Sequence, residues 1–277
     1  MANLTDAEFS KISGYIKDNF GISLGPEKKS LVYSRLSGTL REKGFRSFSE
    51  YFEYLVKDRS GDAVAGFIDK VTTNHTFFMR EANHFDFFRD SVLPELEAEY
   101  ASKRDIRLWC AGCSTGEEPY VLQMIMRDRF SGKPEKWDTK ILATDISTQA
   151  LEKAVRGVYS AENMKAVPEK WKRVYFEPHG EGKSIVSASV RNDILFRKLN
   201  LMDAVFPFRA PMHVIFCRNV MIYFDSPAKE ALVQKFWNWL LPGGFLFVGH
   251  SESLSHTKAE FKYVAPAVYR KPKKSAV

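Results

Sequence analysis

Long hydrophobic runs are missing from this chain. No stretch approaches the roughly 20 apolar residues that a membrane span needs. Met1 to Ser10 lack a basic start followed by an apolar run, so no secretory leader is expected. Cysteine is scarce: three residues cannot all pair with one another, and a reduced, cytoplasmic protein is the simple expectation. The six histidines show no metal-ligand spacing, and no metal is expected. Internal repeats and low-complexity segments are also absent. What remains is a globular composition, 44% hydrophobic and 27% charged, with a formal net charge of +7. That excess draws acidic partners without saying which kind.

The first part reads as helical. Phe9, Ile12 and Ile16 recur at spacings of 3 and 4, behind a possible capping box at Thr5-Asp6-Ala7-Glu8. Gly25-Pro26 breaks the pattern. A second helix starting near Pro26 carries Leu31, Val32, Arg35, Leu36 and Leu40 and stops near Gly44. Ser47 or Ser49 caps a third, with Phe52 and Leu55 inward. No alternating strand precedes residue 100.

The pattern then changes. Ile106–Cys110, Lys140–Thr144, His213–Cys217 and Phe245–Gly249 are short apolar runs, and helical stretches at Tyr120–Phe130, Thr148–Arg156 and Ala228–Leu241 lie among them. Such alternation predicts a mainly parallel sheet with helices on its faces. The expected division is a helical domain over residues 1–80 and an α/β domain over 81–277. Within the latter, Val174–Leu199, with Gly180 and Gly182 and then Ile185, Val186, Val190, Ile194, Leu195 and Phe196, reads as an inserted antiparallel β subdomain. The end, Arg270 to Lys274, reads as a frayed basic tail.

The richest stretch runs from Trp109 to Tyr120, after one predicted strand and before a helix. Gly112 and Gly116, with Ser114 between, let the backbone turn sharply against a ligand. Glu117 and Glu118 open the helix. They repel a phosphate and suit a cation, so an adenosyl amino acid fits better than a dinucleotide; an ordinary turn with acids at a helix start is the bland alternative. Two further readings overlap these residues. Gly112-Cys113-Ser114-Thr115-Gly116 fits a nucleophile elbow, with Asp225 and His250 to complete a triad. Against it, no earlier strand supplies an oxyanion hole. Cys110-Ala111-Gly112-Cys113 resembles a redox pair, but the acids that follow oppose a thiolate.

Asp145 ends the second predicted strand, where a ribose is gripped in sheets of this kind, or it caps the next helix. It lies 29 residues after Gly116, a long spacing that a long first helix explains. Arg218 and Asn219 follow a buried strand at the same crevice. Asn74, Thr76 and Arg80 are polar anchors among aromatics, and Arg80 suits a carboxylate.

These stretches, in this order, resemble the chemotaxis receptor methyltransferase family, CheR. The matching pieces are Thr73-Asn74-His75-Thr76-Phe77-Phe78 with Arg80-Glu81, then Ser114-Thr115-Gly116-Glu117-Glu118-Pro119-Tyr120, Thr144-Asp145-Ile146, Asn200-Leu201, Cys217 to Asp225, and Gly249-His250-Ser251-Glu252-Ser253. Small departures fall at His75, Met79 and Cys113. The resemblance implies an N-terminal all-helical domain, then a Rossmann-like methyltransferase domain with a small inserted antiparallel β subdomain. It implies transfer of a methyl group from S-adenosyl-L-methionine to glutamates of chemoreceptor cytoplasmic domains, leaving S-adenosyl-L-homocysteine. Carried onto this chain, it puts cofactor contacts at Asn74, Thr76, Arg80, Glu117 or Glu118, Asp145, Asn200, Leu201, Asn219 and Val220. Arg80 and Tyr223 become candidates for orienting the reacting groups, and Arg35 and Arg41 for docking the receptor. The expected protein is a cytoplasmic monomer that binds no nucleic acid and inserts in no membrane. A non-catalytic adenosyl-ligand sensor, and a serine hydrolase using Ser114, stand as the alternatives.

Overall fold

The computed structural model describes residues 3–59, 61–71, 75–255 and 257–273. Helix α1, Asp6–Phe20, opens on the Thr5–Glu8 capping box and closes at Gly21 in the left-handed conformation. Phe9, Ile12 and Ile16 form its buried stripe. A short 3₁₀ turn at Pro26–Lys28 feeds α2, Lys29–Lys43, which ends at left-handed Gly44. Ser47 caps α3, Phe48–Lys57, whose buried face is Phe48, Tyr51 and Leu55; Phe52, expected inward, is only half-buried. Helix α4, Asp62–Val71, completes this layer. Phe67, Ile68 and Val71 lock it into one core with α1 to α3.

Helix α5, Ala82–Phe87, passes through a π-helical turn at Phe88–Val92 into α6, Leu93–Glu99. The α/β part follows: β1 Leu108–Ala111, α7 Glu117–Phe130, β2 Ile141–Asp145, α8 Thr148–Arg156, β3 Val158–Ser160, α9 Glu169–Tyr175, β4 Phe176–Pro178 and β5 Lys183–Val186. Next come α10 Ala188–Arg191, β6 Ile194–Lys198, β7 Met212–Cys217, α11 Ser226–Trp239, β8 Leu240–Val248, β9 Lys262–Ala265 and β10 Val268–Arg270. The large sheet has the order β6-β2-β1-β7-β8-β10-β9. Its first five strands run parallel; β10 is antiparallel to both of its neighbours. Both faces are covered, so the central strands are buried and mostly apolar, His213 on β7 and Thr144-Asp145 at the end of β2 excepted. Along β1, Leu108 and Cys110 enter the core under α5 to α7, while Trp109 and Ala111 enter the core under α11.

Two expectations need correcting. The inserted sheet is β3-β5-β4 and begins at Val158. Ile194, Leu195 and Phe196 do not belong to it: β6 pairs in parallel with β2 from Ile141↔Ile194 to Asp145↔Lys198 and forms an edge of the large sheet. Nor is the basic end frayed from Arg270, which lies in β10; Lys271 Nζ donates to the carbonyls of Trp237 and Leu240, and Lys273 pairs with Glu99 at 2.7 Å. Lys274 lies outside the described residues. No described helix is long and apolar enough to cross a membrane.

Candidate active site

Strand order reverses between β1 and β7, which opens a crevice at their carboxyl ends. The loop after β1 is built to approach it closely. Gly112 has φ +81°, and a Cβ there would stand 2.4 Å from Val220 Cγ2. Gly112 and Cys113 donate their amides to the Thr144 carbonyl, at 2.8 and 2.9 Å. Ser114 N donates to Asp145 Oδ2 at 2.7 Å, and Ser147 N to Oδ1 at 2.9 Å. Burial pushes the Asp145 carboxyl above its ordinary pKa, against the pull of these amides. Asp145 therefore ties the β1 loop to the start of α8 while it lines the crevice.

The two acids opening α7 point different ways. Glu117 is 3% exposed, accepts from Thr115 Oγ1 at 2.7 Å, and does not line the crevice. Glu118 does. It accepts from Cys110 Sγ at 2.9 Å and pairs with Arg218 Nη1 at 2.8 Å. Arg218 is a buried hub that also pairs with Glu81 at 3.1 Å and donates to the Arg80 carbonyl. Burial opposes the charge of Glu81, but Arg218 and the Asn219 amide hold its carboxyl below the ordinary range. Next to it, burial and then Arg218 push the His84 imidazole down to about 4. Glu252 performs the analogous task with backbone, accepting the amides of Gly249, Asn219 and Ile222 at 2.6, 3.0 and 3.1 Å. These bonds shape the 3₁₀ turn Met221–Tyr223 that carries Tyr223 to the rim.

The helical part supplies the opposite wall. Ile22 forms a β-bridge with Phe224, Ser23 N donates to the Tyr223 carbonyl at 2.7 Å, and Asn200 Nδ2 donates to the Asn19 carbonyl at 2.8 Å. The crevice between the walls encloses about 1330 Å³, open mouth included. It collects Thr76, Arg80, Glu118, Asp145, Asn200, Leu201, Asn219, Val220 and Tyr223 of the expected set. Glu117 is left out, and Asn74 falls outside the described residues. Arg35 lies elsewhere, with Nη1 3.0 Å from the Val71 carbonyl at the end of α4, and Arg41 is exposed on α2.

Sequence reasoning gave no site role to Glu81 or to Arg218 as a hub, nor to the wall residues Phe20, Ile22 and Leu24. The signal for Arg218 and Glu81 was a charge beside a buried apolar run. The wall residues carried none.

Two overlapping readings fall away. Asp225 caps α11 through Ala228 N and pairs with Lys17 at 2.9 Å, while His250 Nε2 lies 3.1 Å from Asn83 Nδ2, so no triad forms at Ser114. Cys110 and Cys113 are buried, and burial with the nearby Glu118 and Asp145 raises both thiols well above their usual pKa.

Comparison with known proteins gives the family. Residues 7–72 match the family model of the CheR methyltransferase all-alpha domain, and residues 74–269 match that of the CheR methyltransferase SAM binding domain. The chain belongs to the CheR methyltransferase family. It is 40% identical to a chemotaxis protein methyltransferase of Borreliella burgdorferi over 271 residues, covering 97% of this chain and 95% of the relative. A chemotaxis protein methyltransferase of Escherichia coli is 38% identical over 272 residues, covering 96% and 91%. Chemotaxis protein methyltransferase 2 of Pseudomonas aeruginosa is 36% identical over 268 residues, covering 96% and 93%. The cofactor of this CheR chain is S-adenosylmethionine, and the crevice fits it. Asp145 offers acceptors for ribose hydroxyls, Glu118 suits the ammonium group, and Ile146, Leu201 and Val220 offer apolar surface for the base.

Proposed function

We propose that this CheR chain methylates glutamate side chains of chemoreceptor cytoplasmic domains, acting in the cytoplasm as a monomer. The observation that carries the reading is the division of charge in the crevice. The acids Asp145 and Glu118 lie inward, Glu118 sharing its charge with the buried Arg218, while Lys28 is exposed at the mouth beside Tyr223 and Arg80 stands half-buried between them. Inner acids suit a cationic cofactor; outer cations suit an incoming carboxylate.

Bound S-adenosylmethionine supplies a methyl group activated by the sulfonium. A glutamate with pKa about 4.3 is already ionised at neutral pH, so no side chain has to remove a proton. The task of the protein is placement, which is worth up to about 7–11 kcal/mol when the reacting atoms are held in line. Arg80 is fixed for it: Nη1 donates to the His75 carbonyl at 2.9 Å, and its own carbonyl is held by Arg218. Tyr223 is fixed through its backbone by Ser23. Arg80 and Tyr223 orient the reacting groups, Glu118, Asp145, Asn200, Leu201, Asn219, Val220, Thr76 and Asn74 hold the cofactor, and the helical domain and the methyltransferase domain divide near residue 80.

The test is to incubate the protein with methyl-labelled S-adenosylmethionine and receptor-containing membranes. Base-labile methyl ester on receptor glutamates is expected. Tight S-adenosylhomocysteine binding without ester formation would instead leave a non-catalytic sensor.

A further inference from the structure

Three side chains that do not line the crevice meet behind Arg218: Glu81, His84 and His250. His84 is 1% exposed, and its Nε2 lies 3.1 Å from the Pro266 carbonyl. A carbonyl only accepts, so Nε2 carries the proton of the neutral ring and Nδ1 presents a lone pair. Among the described residues Nδ1 has no hydrogen-bond partner. What faces it, at 3.5 Å, is Glu81 Oε2, a second acceptor. Two lone pairs opposed in a buried place repel, and a cation between them turns that repulsion into coordination. The exposed ring of His250 stands edge-on to His84, with centroids 4.6 Å apart.

We infer that Glu81, His84 and His250 form a binding site for one divalent transition-metal cation of the zinc or cobalt class, with water completing the shell. A tetrahedral ion about 2.0–2.1 Å from each ligand sets neighbouring ligand atoms roughly 3.4 Å apart. The Glu81–His84 pair already stands at 3.5 Å. The three ligand atoms lie within 4.8 Å of one another, and the remaining closure falls to the exposed His250 side chain, whose Nε2 stands 3.1 Å from Asn83 Nδ2 in the ion's absence. The bond from His84 Nε2 to a backbone carbonyl fixes the ring with Nδ1 forward, as ligating histidines are held. Charge permits the ion: Glu81 and Glu118 carry two negative charges against the single positive charge of Arg218. Two imidazoles select zinc, cobalt or nickel over magnesium and calcium. Because Oε2 of Glu81 is shared with Arg218, the ion sits one residue behind the pair that orders Glu118.

The test is cobalt(II) titration of the full chain, followed by visible absorption and equilibrium dialysis. One equivalent with the spectrum of a low-coordinate nitrogen and oxygen site is expected, displaced by zinc and untouched by magnesium. His250→Ala alters an exposed residue, so its fold is expected to persist by circular dichroism, and its cobalt affinity should fall at least about tenfold. His84→Gln should abolish the spectrum. Saturable binding that is unchanged in His250→Ala would place the metal at other surface histidines and overturn the assignment, as would absence of binding at millimolar cobalt.

Discussion

Asp145 holds two backbone amides and still faces the crevice, and a carboxylate has room for both tasks because its oxygens offer about four acceptor positions. Its place at a strand end was legible from the sequence; its second role as the tie between two loops was not. Asp145→Asn keeps one acceptor oxygen and loses the charge. A charge-assisted bond is worth about 1.5–3 kcal/mol, so S-adenosylhomocysteine affinity should fall by an order of magnitude or more in calorimetry. Unchanged affinity would remove Asp145 from the site. The neighbouring acids mark a limit of sequence reading. Glu117 and Glu118 both open α7, and what separates their roles is Cys110 and Arg218, the latter 100 residues away. Glu118→Gln should weaken S-adenosylhomocysteine at least tenfold. Glu117→Gln should leave affinity at the parent level, since burial already raises the Glu117 pKa and its carboxyl bonds Thr115 outside the crevice.

At the scale of elements, the buried strands were legible because their residues are apolar on both faces. β6 was not, because an edge strand has only one neighbour. Only Ile194 of its five residues is buried, while Leu195, Arg197 and Lys198 are exposed, a pattern shared with strands of a small antiparallel sheet. Glycines make a sharper case. Gly44 and Gly112 both have positive φ, at 76° and 81°. A Cβ at Gly44 meets nothing within 4 Å, whereas one at Gly112 strikes Val220. Gly44→Ala should therefore cost about 1–2 kcal/mol from backbone strain alone and spare cofactor binding. Gly112→Ala should cost more and weaken S-adenosylhomocysteine as well; equal effects of the two would refute the close approach. On β7, His213 accepts from Arg107 N at 2.8 Å, and burial with Arg107 and Lys103 pushes it down to about 4. The unfolded chain then binds the extra proton between about pH 6.5 and 4, so stability is full above that window and falls as pH drops through it. The ceiling is about 3 kcal/mol. Urea midpoints at pH 7 and 5 should differ less in His213→Gln than in the parent.

At the scale of the whole molecule, the join between the two parts was invisible in the sequence, because Lys17–Asp225, Ile22–Phe224 and Asn19–Asn200 connect residues about 180 or more apart. That join brings the basic α2 region to the same side as the crevice mouth, where Lys28 and Leu31 line the wall. Between Pro26 and Arg46 the chain carries six basic and two acidic residues, a local net of +4. Opposite charge on an acidic partner speeds encounter and fixes orientation. The two arginines expected to dock the receptor now separate. Arg35 spends Nη1 on the final carbonyls of α4, 3.0 Å from Val71 and 3.4 Å from Lys70, so its first duty is to hold that helix end. Arg41 is exposed. Arg41→Glu should raise the Michaelis constant for receptor several-fold at low salt, with the difference shrinking as salt screens the surface, and should leave S-adenosylhomocysteine affinity alone. Arg35→Ala should lower the thermal midpoint, which Arg41→Glu should not. Parent-level receptor kinetics for Arg41→Glu at low salt would show that the charge on α2 is only a solvated face.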